Sequence, residues 1–379
     1  MRAVALIDGE HYAPVVRDAL RALPYEWVGA ILVGGTEKLR DGGDYGVPLI
    51  EGFGSAEVVV DLSDDPVLGP EERFRWISRA LAEGLEYVGA DFRFAPPELL
   101  PFELPSIAVI GTGKRVGKTA VTGQLARLLS RERDVVVVAM GRGGPAEPEL
   151  VAAPPTLDEL VALSRSGRHA ASDHLETAVL CGVPTIGCRR AGGGLAGAVF
   201  VSNVAAGARL AAARTPDVVI FDGSGAAIPP VQVDRRVLVV GPQHDLGAYL
   251  NPYRRLISDV VVAVGCECEG ALRAELRLRP TEPLDGRVAV FTAGAAGVSH
   301  LEAEIVHVSS NLADRASLRA DLDSIDADTY LVELKGAAID VVAEHALAHG
   351  KRFVLAANDV VGDGLDEALL ALLPARVAA

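Results

Sequence analysis

One stretch limits what this chain can become more than any other: Gly111-Thr-Gly-Lys-Arg-Val-Gly-Lys-Thr119. It follows the apolar run Ser106-Ile-Ala-Val-Ile110 and precedes the helical pattern Ala120-Val-Thr-Gly-Gln-Leu-Ala-Arg-Leu-Leu129. A buried strand, a glycine-rich turn and an amphipathic helix in that order bring successive backbone N–H groups to a helix N-terminus, where the macrodipole also favours negative charge. The expected structure is a phosphate cradle made of Gly111, Thr112, Gly113, Val116, Gly117, Lys118 and Thr119. Lys118 is expected to reach the outer phosphates of a nucleotide and Thr119 to ligate magnesium, because a triphosphate needs both a point charge and a metal to neutralise it. Lysine usage supports this: the chain has five lysines against 31 arginines, and two of the five lie in this turn.

At 379 residues the chain is long enough for two or three domains, each with its own core. Half of it is hydrophobic, yet no apolar stretch reaches the roughly 18 residues of a membrane span. The reading is a protein without membrane attachment. Met1-Arg-Ala-Val-Ala-Leu-Ile-Asp8 is too soon charged for a signal peptide, so the expected location is the cytoplasm. A formal charge of −15 argues against nucleic acid as a partner, so any anionic ligand must meet a local basic pocket. The four cysteines (Cys181, Cys188, Cys266, Cys268) have neither a disulfide framework nor a four-ligand zinc spacing.

Short apolar runs alternate with helical patterns almost throughout, the signature of parallel βαβ construction. The fold class expected is α/β: a small Rossmann-like domain over residues 1–93, a proline-rich linker over 94–105, and a P-loop NTPase domain over 106–379. The last has a mostly parallel sheet and a C-terminal α/β extension. Strand ends in such sheets are where ligands bind. Asp8-Gly-Glu-His-Tyr12 and Asp61-Leu-Ser-Asp-Asp-Pro66 fall at two of them, and read equally as ligand groups or as solvated turns.

Within the larger domain, Asp134-Val-Val-Val-Val-Ala-Met140 is a second buried strand. Arg142, between glycines just past its end, is placed to meet phosphate. Ser166-Gly-Arg-His-Ala-Ala-Ser-Asp-His-Leu-Glu-Thr177 is dense in polar chemistry. With a helix starting near Ser172, Asp173 and Glu176 share one face and Arg168 and His169 lie before its N-terminus. This reads as an anion site with an acidic magnesium or base partner. Arg189 and Arg190 lead into three glycines, an arrangement suited to clasping a second phosphorylated group. Asp217-Val-Val-Ile-Phe-Asp222 is a strand ending in Asp222, where phosphate-loop proteins orient magnesium or its water. Lys335, with Glu333 at a strand-to-helix junction, is expected to contact nucleotide or substrate.

The turn is spaced like the Gly-Thr-x-x-x-Val-Gly-Lys-Thr loop of dethiobiotin synthetase and its relatives. More broadly, the chain resembles the cyclic 2,3-diphosphoglycerate synthetase family. The stretches that carry the resemblance are Ile7-Asp-Gly-Glu-His-Tyr12, Asp61-Leu-Ser-Asp64, Phe92-Arg-Phe94, Gly111–Thr119, Gly141-Arg-Gly-Gly-Pro145, Ser166–Asp173, Asp222-Gly-Ser-Gly225 and Glu333-Leu-Lys335. The resemblance implies a ligase that uses ATP and Mg2+ to close 2,3-bisphosphoglycerate into its cyclic pyrophosphate, releasing ADP and phosphate, as a homodimer. By that reading Lys118, Thr119 and Asp222 hold the nucleotide and magnesium, and Lys335 also serves the nucleotide. Lys114 and Arg115 steady the transferred group. Arg142, Arg168, His169, Arg189 and Arg190 receive the substrate phosphates, with Asp173 and Glu176 beside them. Two alternatives stand: another P-loop ligase or kinase acting on a small anionic metabolite, and a nucleotide-switch ATPase or GTPase.

Overall fold

The computed structural model describes residues 1–39, 43–243, 245–294 and 297–373. They group into two compact units: Met1–Glu98 with Gly194–Ala198 and His244–Ser258, and Leu99–Gly193 with Val199–Gln243 and Asp259–Ala379. The reading of residues 106–379 as one body did not anticipate the two excursions. The second has a local cause. Helix Asn251–Leu256 packs on helix Pro70–Ala82, and Tyr249 meets Phe74 edge-on with ring centroids 6.0 Å apart.

The first unit carries a five-stranded sheet in the order Glu26–Leu32, Arg2–Ile7, Val58–Asp61, Glu86–Val88, Arg93–Phe94. All neighbours are parallel except the last pair. Ala3–Ile7 is fully buried, which is why it reads as an unbroken apolar run rather than an alternating one. At its end, buried Asp8 accepts from the Asp64 backbone N–H at 2.8 Å and lies 2.7 Å from His11 Nδ1. These bonds hold the Asp8 carboxyl below its ordinary range although burial pushes it up.

The second unit is built on one sheet of 13 strands. Edge to edge it runs Val201–Ser202, Thr185–Ala191, Val135–Gly141, Val218–Asp222, Ser106–Gly111, Arg235–Val240, Val260–Val264, Leu272–Pro280, Arg352–Val361, Thr329–Glu333, Arg287–Phe291, Glu304–Ser309, with Glu149–Val151 pairing on Thr185–Ala191. Val135–Gly141, Val218–Asp222 and Ser106–Gly111 are buried along their whole length. Helix Lys118–Leu129 lays Val121, Leu125, Leu128 and Leu129 on them. Leu272–Pro280 is the seam: parallel to Val260–Val264 on one side, antiparallel to Arg352–Val361 on the other. It joins the phosphate-loop half and the C-terminal half into a continuous sheet.

The strand at Thr185–Ala191 corrects the reading of Arg189 and Arg190 as a clasp. Both lie inside it. Consecutive strand residues face opposite sides, so the two side chains leave the strand in opposite directions rather than side by side from one loop.

Candidate active site

The turn at residues 111–117 is shaped by its glycines. Gly117 has φ of +97°, a left-handed conformation in which a side chain is strained, and a Cβ there would meet Val264 at 3.2 Å. Helix Lys118–Leu129 starts immediately after it. Lys118 is buried, and its Nζ donates to the Gly113 carbonyl oxygen at 2.8 Å. Thr119 and Val116 also line the cavity described below.

Asp222 ends the strand next to the phosphate-loop strand, in register with Val109. It is buried, and its Oδ1 has no hydrogen-bond partner among the described residues. Burial pushes the Asp222 carboxyl up and the Lys118 ammonium down, each resisted by the opposite charge of the other. A buried carboxylate with an open oxygen beside a phosphate cradle suits a hard divalent cation or its water, so the donor set of Thr119 and Asp222 fits magnesium. Among the described residues no group of three or more His, Cys, Asp or Glu stands ready to hold a metal by itself. Oxygens of a bound phosphate are needed to complete such a shell, as is usual for magnesium.

A cavity of about 670 Å³ opens over this turn, entirely within the second unit. Its phosphate-loop wall presents Lys114, Arg115, Lys118 and Arg142. Burial, then repulsion from Arg142 and Arg115, pulls the Lys114 ammonium down. Burial and Arg142 do the same to Arg190. Cations that repel one another in this way are stabilised by an entering polyanion. His169 and Asp173 lie on the rim.

The opposite wall comes from the C-terminal half. Strand Thr329–Glu333 ends there, followed by Lys335 and Gly336. Lys335 Nζ lies 3.3 Å from Glu176 Oε1 and 3.6 Å from Glu333 Oε1. Glu176 projects from the first turn of helix Asp173–Cys181 and is buried. Burial pushes its carboxyl up to about 7, partly opposed by Lys335. Burial acts on Glu333 in the same sense, but Lys335, the Ala293 N–H and Asn358 outweigh it and hold that carboxyl low. Burial disfavours the Lys335 charge, yet the two carboxylates raise its pKa.

Residues 106–277 match the P-loop domain of cyclic 2,3-diphosphoglycerate synthetase, residues 288–359 its C-terminal domain, and residues 2–53 and 53–95 its N-terminal domain. The chain belongs to the cyclic 2,3-diphosphoglycerate synthetase family. A synthetase of that name from Rubrobacter xylanophilus is 47% identical, over 98% of this chain and 97% of the relative. The Thermococcus kodakarensis synthetase is 40% identical over 96% of each chain. That of Methanothermobacter thermautotrophicus is 37% identical over 99% of this chain and 96% of its own. Among the described residues no helix is long and apolar enough to cross a membrane.

Against this family background the sequence expectations sort by position. Lys114, Arg115, Val116, Gly117, Lys118, Thr119, Arg142, His169, Asp173, Glu176, Asp222 and Lys335 line the cavity, whereas Gly111, Thr112, Gly113, Arg168, Arg189 and Arg190 do not. The Arg168 guanidinium is ion-paired with Glu149 and half-exposed, and Arg189 is exposed on its strand. Arg190 turns inward instead, donating to the Ser224 carbonyl at 2.8 Å, and Ser224 lines the cavity. Thr292, Gly294 and Asn358 line the cavity without having been singled out. The run Phe291-Thr-Ala-Gly294, a strand running into a glycine turn, was the available signal for the first two. Burial drives the thiols of Cys181 and Cys188 up to about 12, which makes them inert core groups.

Proposed function

We propose that this chain uses ATP to close 2,3-bisphosphoglycerate into cyclic 2,3-diphosphoglycerate, releasing ADP and phosphate. The observation that carries the reading is a cavity that sets a phosphate cradle with four cations against a second charged wall. In the proposed sequence an oxygen of one substrate phosphate attacks the γ-phosphorus and ADP leaves. An oxygen of the neighbouring phosphate then attacks the substrate phosphorus of the new anhydride, and the former γ-phosphate departs as orthophosphate as the ring closes. Bringing two dianions within reaction distance is the costly part, and local cations cancel that repulsion.

Lys118 would hold the outer phosphates of ATP, and Lys114 with Arg115 would follow the transferred group. Arg142, His169 and Arg190 would receive substrate phosphate, while Asp173 borders them on the rim. Thr119 and Asp222 would hold magnesium, whose chemistry when bound is neutralisation of charge on the triphosphate. A cytoplasmic homodimer belongs to the same proposal, and light scattering of the purified chain checks the dimer. The activity itself is tested by phosphorus NMR of the mixture formed from ATP and 2,3-bisphosphoglycerate. The expected result is a cyclic pyrophosphate signal together with ADP and orthophosphate in equal amounts. ADP without the pyrophosphate signal would overturn the reading.

A further inference from the structure

The two walls of the cavity are built differently. On the phosphate-loop side the cations are several and crowd one another. On the side built from residues 288–359 the one lysine or arginine among the described lining residues is Lys335, and it is shared between two carboxylates.

Those carboxylates are not equivalent. Glu333 has further partners: its Oε2 accepts from the Ala293 N–H at 2.8 Å and its Oε1 from Asn358 Nδ2 at 2.5 Å. Its charge stays compensated if the lysine moves. Glu176 has a different setting. It sits buried on helix Asp173–Cys181 with Lys335 as the cation that acts on it most, and the next charges that act on it, Asp173 and Glu333, are acidic. Lys118 and Arg127 come from the helix packed against it, Lys118 being engaged with Asp222 and Arg127 with Asp359. Losing Lys335 removes the main opposite charge from a buried carboxylate, the situation in which a group protonates rather than stay charged.

Resting on the function proposed above, we infer that this wall is the seat of a substrate phosphate rather than of the nucleotide: the phosphate takes Lys335 from Glu176, Glu176 receives a proton from solvent, and Glu333 is the positioning residue that keeps the lysine at the wall. Bond for bond, an N–H···O contact to carboxylate is exchanged for one to a phosphate oxygen, with one proton taken up. Burial already holds the Glu176 carboxyl at about 7, so the uptake falls in the neutral range.

Calorimetric titration of 2,3-bisphosphoglycerate into the full chain without ATP tests this. It is run at pH 7.5 in two buffers of different ionisation heat, on the wild type and on Glu176→Gln. Protons released by the substrate's own phosphates are common to both proteins, so the difference isolates Glu176. The expected difference is roughly half to three-quarters of a proton more taken up by the wild type. Lys335→Met should weaken binding of 2,3-bisphosphoglycerate roughly tenfold or more while changing ADP affinity less than about threefold. Lys335→Arg, which keeps the charge, should recover most of the loss. Equal proton counts in the two proteins, or a Lys335→Met defect in ADP binding alone, would overturn the inference and leave the proposed reaction standing. Absence of any 2,3-bisphosphoglycerate binding by the wild type would overturn both.

Discussion

Lys118 is held by the protein itself, folded back onto the Gly113 carbonyl in a buried setting with Asp222 nearby. Lys118→Ala should therefore cost the reaction a preorganised charge, with ADP release falling about 10²- to 10³-fold. A coupled ADP assay reads this, and near-normal turnover would remove the turn from the mechanism. Glu176 makes a prediction about stability alone. Its carboxyl ionises at about 7 in the folded chain against an ordinary 4.5. Below the ordinary value both states are protonated and no penalty exists. As pH rises from about 4.5 to about 7 the unfolded chain ionises first, and the folded wild type loses stability on the order of 3 kcal/mol. Glu176→Gln lacks that loss. The stability of the variant relative to wild type should climb in the variant's favour across this window and level off above it. Urea denaturation at pH 4.5, 6 and 8 measures the trend, and a constant gap would mean that Glu176 titrates as an ordinary exposed acid.

The strand Thr185–Ala191 decides which arginine can matter. Arg190 reaches inward to Ser224 while Arg189 faces out. Arg190→Ala is expected to raise KM for 2,3-bisphosphoglycerate roughly tenfold, and Arg189→Ala to leave it within about twofold. Steady-state kinetics separates them, and equal defects would restore the clasp read from the sequence. That misreading had a physical origin. Arg189-Arg-Ala-Gly-Gly-Gly194 looks like a loop because its glycines dominate, but the apolar pairing partner that makes it a strand, Val135–Gly141, lies some fifty residues away in the chain. Leu272–Pro280 went unread as a strand for a related reason: its alternation of leucine or alanine with arginine or glutamate is the half-buried strand pattern, in a sheet whose central strands Ser106–Gly111, Val135–Gly141 and Val218–Asp222 are buried along their whole length. By contrast Ser106–Gly111, Val135–Gly141 and Val218–Asp222 were legible because both of their faces are buried. So was the order strand, turn, helix around Lys118. Ion pairing was not: nothing local marks Glu149 as the partner that occupies Arg168.

At the scale of the second unit, a single sheet carries both walls of the cavity. The phosphate loop follows strand Ser106–Gly111, the Lys335 wall follows strand Thr329–Glu333, and the seam Leu272–Pro280 with Arg352–Val361 connects them by continuous backbone pairing. A ligand pair spanning the cavity therefore has to order two segments more than two hundred residues apart in sequence, and a nucleotide alone has to order one. Hydrogen exchange makes this visible, because loop amides at the cavity open locally while the buried strands beneath them exchange slowly. With ADP alone, slowing is expected over residues 111–119. With ADP and 2,3-bisphosphoglycerate together, slowing is expected to extend to residues 333–337. Protection of the first segment alone under both conditions would confine ligand binding to the phosphate loop. The Lys335 wall would then be a structural ion-pair cluster, and the two-phosphate chemistry would have to be sought elsewhere on the molecule.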